Sequence, residues 1–280
     1  MGSRDVRLGL AACLFVPLAS AEEAPNAPAD KSAYTLFNPT PREHMRELAA
    51  DRPDTTENPR TVDAGHYQLE MSLVDYTYDR SHGETSETFR GAPFNIKAGL
   101  TNNIDVQLVF DPYVNARGGP TRHQGHGETE LRLKVNVFGN DTDGPAFGVM
   151  GFVKLPTGSG ELSNDHYEGG IMFIAGTPLP ADFELITMLE VDFVRDAGNG
   201  YGTAFQHSAT LGRKLGENLD GYIEYIGTAY SGAGQTYRAV VGAGVTYTIG
   251  ETVQLDAGVN VGISESADDF NVFAGLTYRI

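Results

Sequence analysis

Val272-Phe273-Ala274-Gly275-Leu276-Thr277-Tyr278-Arg279-Ile280 alternates Val, Ala, Leu, Tyr and Ile with Phe, Gly, Thr and Arg. Strand side chains repeat every two residues, so one face of this stretch is apolar and the other mostly small or polar. The stretch before it is cleaner, with Val253, Leu255, Ala257, Val259, Val261 and Ile263 on one face and Gln254, Asp256, Gly258, Asn260 and Gly262 on the other. That pattern predicts an all-β fold, a transmembrane antiparallel β-barrel with lipid outside and water inside.

The same alternation marks twelve stretches, at residues 65–78, 88–100, 104–113, 128–138, 146–155, 167–176, 183–195, 201–214, 221–230, 237–249, 253–263 and 270–280. Typical lengths match the ~9–11 residues that a tilted strand needs to cross a bilayer. An even count returns both ends of the barrel to one side. The even-numbered connections are tight, such as Thr101-Asn102-Asn103 and Gly250-Glu251-Thr252, whereas residues 114–127 and 156–166 form longer, Gly-rich odd-numbered ones. Short periplasmic turns alternating with longer outer loops are the asymmetry of such barrels.

At the N-terminus, Arg4 and Arg7 precede an apolar run over residues 8–18 that closes on Ala19-Ser20-Ala21. Residues 1–21 therefore read as a secretory signal peptide, too short to span a bilayer. Leu10-Ala11-Ala12-Cys13 is a rival lipoprotein cleavage box. Cys13 is the sole cysteine, which leaves the mature chain without a disulfide or thiolate site. The net charge of −17 argues against nucleic acid as a partner. Gly275-x-x-Tyr278-x-Ile280 is similar to the C-terminal signal read by the barrel assembly machinery, although its last residue is not aromatic. Alternation alone leaves open a soluble barrel with the apolar set inside. The leader, the C-terminal signal and the Tyr and Phe near strand ends favour the bacterial outer membrane, with its lipid bilayer as the surrounding partner.

Residues 22–63 form an N-terminal arm ahead of the barrel at 64–280. Thr40-Pro41-x-Glu43 predicts a capped short helix over residues 41–50, with Met45, Leu48 and Ala49 on one face. Its expected place is the periplasmic mouth or the lumen, where Arg42, Arg46 and Arg52 would meet acids such as Glu70 and Asp105.

With the apolar face outward, the lumen receives Glu70, Lys97, Asp105, Gln107, Glu130, Arg132, Lys134, Lys154, Glu190, Asp192, Glu224, Arg238, Asp256 and Arg279. A Lys or Arg facing lipid at the midplane would cost about 2–4 kcal/mol, which fixes the assignment. These charges are candidates either for cross-strand ion pairs or for a solute path, with Lys97, Arg132, Lys134, Lys154 and Arg238 facing Glu70, Asp105, Glu130, Glu190 and Glu224. Twelve strands leave a narrow bore that long side chains or the arm could occlude.

His82, His123, His126 and His166 fall in expected outer loops, and His123-x-x-His126 is a weak metal candidate beside its reading as a solvated loop. An outer-membrane lipid hydrolase is the rival enzyme class. His207 and Ser208 are adjacent, so they point to opposite faces and form no nucleophile–base pair; no Gly-x-Ser-x-Gly elbow occurs. No catalytic residue and no cofactor is expected.

Several runs resemble an outer-membrane transporter family of the MetA-pathway phenol-degradation type. They are Asp51-Arg52-Pro53-Asp54-x-Thr56-Glu57, Val62-Asp63-x-Gly65-His66-x-Gln68-x-Glu70, and Gly99-Leu100-Thr101-Asn102-Asn103-Ile104-Asp105. Gly125-x-Gly127-Glu128, Arg132-x-Lys134, Lys154-Leu155-Pro156-Thr157-Gly158, Glu190-Val191-Asp192 and the closing strand extend the likeness over most of the mature chain. The resemblance implies a channel or transporter for small solutes, including aromatic or other apolar ones. The competing classes are a lipid-modifying enzyme and a structural or adhesive barrel.

Overall fold

A computed structural model describes residues 30–81, 83–196, 200–231 and 236–280. The expected leader at 1–21, the Cys13 box, the first residues of the arm and His82 lie outside them. Fifteen strands among the described residues form one closed antiparallel sheet of twelve staves. β1 (Tyr67–Ser81) pairs with the last strand, β15 (Phe270–Arg279), and so removes both edges.

Three staves are interrupted. β2 (Glu84–Gly91) and β3 (Phe94–Thr101) flank Ala92-Pro93, β4 (Ile104–Phe110) and β5 (Tyr113–Gly118) flank Asp111-Pro112, and β6 (Thr121–Gly125) and β7 (Thr129–Phe138) flank His126-Gly127-Glu128. A proline has no N–H for the ladder, which explains the first two breaks. The register survives them, since Met71 sits opposite Phe94 and Asp75 opposite Arg90 on the same neighbour. The remaining staves are β8 (Ala146–Leu155), β9 (Glu168–Leu179), β10 (Phe183–Arg195), β11 (Tyr201–Lys214), β12 (Leu219–Ser231), β13 (Thr236–Ile249) and β14 (Val253–Gly262), each hydrogen-bonded to the next.

Two sequence expectations need correction. Residues 114–127 are not a free loop: β5 and β6 extend the barrel wall as a hairpin that turns at Gly119-Pro120. Among its described residues the arm contains a single 3-10 turn, Arg42–His44, instead of a helix over 41–50, and no side chain caps it. The Thr40 Oγ1 that was to cap it is buried without a hydrogen-bond partner. Residues 46–63 are drawn out instead along the lumen wall, where barrel side chains satisfy their backbone groups.

The two faces of the wall differ as the alternation requires. Leu133, Phe173, Ile223, Val245 and Leu255 are exposed on the outside, while Gln68, Glu70, Lys97, Asp105, Lys134 and Asp256 are buried inside. Exposed Tyr67, Tyr247 and Tyr278 stand near one set of strand ends, and Tyr167 and Tyr201 near the other. Aromatic rings at both rims of an apolar belt fit the two membrane interfaces. The Leu133→Arg substitution, on the outer face of β7, should cost the barrel about 2–4 kcal/mol. Urea titration in lipid vesicles measures it, and an unchanged midpoint would place that face away from lipid.

Candidate functional site

The arm turns the inside of the barrel into the site. Its neck is clamped at the short-turn mouth. The Arg46 N–H donates to Asp63 Oδ2 at 3.0 Å, and its guanidinium reaches Asp63 at 3.3 Å, Asp141 at 3.0 Å and Asn102 Oδ1 at 2.8 Å. Lys31 adds a 2.8 Å bridge to Asp141, and Arg279 donates to the Arg46 carbonyl at 2.8 Å. Between Arg46 and Asp63 the chain runs into the bore and back.

The tip, residues 51–57, is gripped by several staves. Asp51 accepts from Lys134 at 2.6 and 2.8 Å and from Lys97, which also pairs with Glu70. Arg52 forms a two-pronged bond to Asp256, at 2.7 and 3.1 Å, and donates to Ser72 Oγ at 2.7 Å. Glu224 accepts the Thr56 N–H at 2.7 Å, the Thr55 N–H at 3.0 Å and the Thr56 hydroxyl at 2.6 Å. Glu57 pairs with Arg132, which also holds Glu130. The return limb is tied by Asn136 to the Pro59 carbonyl at 2.9 Å, and by Asp105, which accepts the Val62 N–H at 3.1 Å. β1, β3, β4, β7, β12 and β14 all contribute, so the tip lies across the bore.

The wall makes room where the arm touches it. A Cβ at Gly99 would stand 2.1 Å from the Asp63 carbonyl oxygen, and one at Gly148 would stand 2.8 Å from that of Pro59. Glycine is required at both places by close backbone approach. The docked tip separates a cavity of about 300 Å³ on the long-loop side, lined by Asp75, Arg90, Asn95 and Asp111, from one of about 1100 Å³ at the periplasmic mouth.

These contacts sort the lumen charges named from the sequence. Lys97 with Glu70 and Arg132 with Glu130 are brought together. Lys154 pairs instead with Glu128 and Glu168 near the outer rim, at 2.8 and 3.1 Å, and Arg238 pairs with Asp268 at 2.7 Å. Arg52 meets Asp256, and Arg46 meets Asp63 and Asp141, where Glu70 and Asp105 were expected. Glu190 accepts from Gln206 at 3.0 Å, while the neighbouring Asp192 Oδ1 is buried without a partner. His126 lies beside Phe110, the rings tilted with centroids 5.8 Å apart, and His123 lies opposite Ala116 in the β5–β6 hairpin. Among the described residues no group of three His, Cys, Asp or Glu is placed to hold a metal ion. The sequence reading missed Asp51, Asp54 and Glu57 as site residues. Their signal was the dense run Asp51-Arg52-Pro53-Asp54-x-Thr56-Glu57, too charged for a plain tether.

A closed twelve-stave barrel with an apolar outer belt and a polar, arm-filled lumen is an outer-membrane β-barrel. The chain belongs to the family described as "Putative MetA-pathway of phenol degradation", whose model matches residues 50–280. The match begins next to Asp51, so it takes in the plug tip along with the barrel. Among solved structures, the fold is similar to the COG4313 outer membrane channel from Pseudomonas putida F1, with TM-score 0.61 and 10% identity over 83% of this chain and 100% of that one. It is also similar to the NanC porin, with TM-score 0.52 and 6% identity over 76% of this chain and 100% of the other. No curated protein matches.

The arm's carboxyls are far from their ordinary titration ranges. Burial works to raise Asp51, but Lys134 and Lys97 outweigh it and hold the carboxyl well below the usual range. Burial, with Asp51 beside it, pushes Glu57 up to about 7 against the pull of Arg132 and Lys134. Burial and the facing Glu224 push Asp54 well above the usual range, although Thr210 hydrogen-bonds it. A carboxyl whose pKa rises on docking keeps its proton where the free arm has lost it. Through Glu57 and Asp54, docking therefore weakens as pH rises from the ordinary carboxylate range through the docked value, up to about 7 for Glu57, whereas Asp51, whose value docking lowers, contributes fully above that range and loses its contribution as pH falls below it. A spin label at Thr55→Cys should gain mobility between pH 5 and pH 8. Asp54→Asn should flatten part of that rise, and a label equally immobile at both ends would contradict the linkage.

Proposed function

We propose that this protein is a gated channel for small solutes across the outer membrane, in which the arm at residues 22–63 is the gate and the barrel at 64–280 the conduit. The carrying observation is that residues 51–57 bond to β1, β3, β7, β11, β12 and β14, with a cavity on either side of them. A structural barrel needs no such tip, since its wall is already closed by β1 and β15. Polar lumen walls suit passage of solutes that carry polar groups, and the family's description supports aromatic compounds among them. The barrel assembly machinery is the partner that inserts it, through the C-terminal strand.

Catalysis is not part of this reading. Ser208 points inward, its hydroxyl oxygen 2.7 Å from that of Thr56, while His207 lies outside among Phe205, Tyr225 and Tyr237. The two cannot act on one substrate.

Deleting residues 22–59 should raise single-channel conductance in a planar bilayer several-fold. The barrel should still show its heat-sensitive gel shift, because the staves carry its stability. Silence at all voltages from both the full-length and the deleted protein would overturn the channel reading.

A further inference from the structure

A further cavity, of about 130 Å³, lies beside the tip, between Arg52-Pro53-Asp54 and the inner faces of β10 to β14. It adjoins both of the larger ones. Glu184, Gly212, Asp220 and Gln254 line it and the periplasmic mouth cavity alike, while Arg52 and Asp54 line it and the outer cavity alike. A row of spaces therefore runs past the docked tip, with the side chains of Arg52 and Asp54 as its last partition.

Glycines keep this row open on the wall side. Gly212 shares the inner face of β11 with Ser208 and Thr210, which bond to Thr56 and Glu224 inside the bore. A Cβ at Gly212 would meet nothing nearer than the Glu184 carbonyl oxygen at 3.9 Å, so the space in front of it is free. Across the cavity, a Cβ at Gly244 or Gly258 would stand 2.9 or 2.8 Å from the Tyr222 hydroxyl oxygen. Bare backbone at those two positions lets the Tyr222 ring lie along β13 and β14 instead of across the bore.

The lining suits water. Tyr222 is 9% exposed, and its hydroxyl has no hydrogen-bond partner although it borders the cavity. Thr246, Gln254 and Asp54 add donors and acceptors around the same space. A water needs a few polar partners and roughly 10–15 Å³ of its own, so this cavity takes several and can satisfy the orphaned hydroxyl.

We propose that the docked state carries a water lane, a thread of water that passes the tip along Gly212, Tyr222 and Asp54 and gives the closed channel a water permeability of its own. The lane goes beyond the gate reading, because it belongs to the docked tip and does not depend on its release. Sugar-sized solutes are turned back by the small middle cavity. Ions meet charge of both signs there, since Arg52 opposes cations and Glu184 and Asp220 oppose anions.

Stopped-flow light scattering of lipid vesicles holding the full mature protein tests the lane. The tip is fastened by an oxidised Thr56→Cys, Ser208→Cys pair, at positions whose hydroxyl oxygens lie 2.7 Å apart. After a sucrose shock these vesicles should shrink several-fold faster than protein-free ones and should not re-swell. Adding Gly212→Leu, which fills the free space without touching backbone, should return shrinkage toward the protein-free rate in a barrel that keeps its gel shift. Thr246→Phe should do the same from the facing wall. Shrinkage of the fastened protein no faster than the bare lipid, or undiminished by both fillings, would overturn the lane, and re-swelling would show a wider passage than the one proposed. Single-channel openings after reduction report the gate separately.

Discussion

Two lysines buried in the barrel wall set the terms for everything inside it. Lys97 and Lys134 are 2% and 1% exposed and converge on Asp51, a residue of the arm. With the arm gone, two ammonium groups would stand near each other with Glu70 as the remaining partner of one. Leaving a buried charge without its partner costs about 3–5 kcal/mol, whereas the net worth of an intact buried pair is small. The docked arm is therefore strongly specified without being permanently fastened. Water entering an opened bore can take over the lysines, which lowers the cost of release.

The same logic explains why, at the level of the tip, ion pairs between neighbouring staves are few, Lys97 with Glu70 being one. A charge ladder between neighbouring staves would satisfy the wall by itself and leave nothing for the arm to hold. Glu224 takes two arm N–H groups and a hydroxyl, Asp105 takes a third N–H, and Asp256 takes the Arg52 fork. The wall carries an incomplete set of partners, and the arm completes it. Outside the plug level, Lys154 with Glu168 and Arg238 with Asp268 pair within the wall and its loops, and they sit near the outer rim.

Legibility in the sequence follows the same division. A period of two over the wall gave all twelve staves, because lipid on one side and water on the other constrain every residue of a strand. It also sent Glu70, Lys97, Lys134 and Asp256 to the inside. The β5–β6 hairpin was missed because, with Gly118-Gly119-Pro120 at its turn and Gly125 and Gly127 at its far end, it looked like a loop. The arm was misjudged differently. Thr40, Pro41 and Glu43 carry a helix-start pattern, but the segment's backbone groups find better partners on the wall, and tertiary contacts override local propensity. Which acid each arginine meets depends on where the chain is laid in the bore, and no local pattern encodes that.

The central claim is that passage requires the tip to leave the bore. Thr56 and Ser208 face each other with their hydroxyl oxygens 2.7 Å apart, and the only natural cysteine is Cys13, in the expected leader. Replacing both by cysteine should let a disulfide fasten the tip to β11, since side chains this close bring their Cβ atoms near bridging range. Single-channel recording of the Thr56→Cys, Ser208→Cys protein should show no openings when oxidised and wild-type openings after reduction. Undiminished conductance with the disulfide verified by mass spectrometry would show that solutes pass a docked arm, and the gate would have to lie elsewhere.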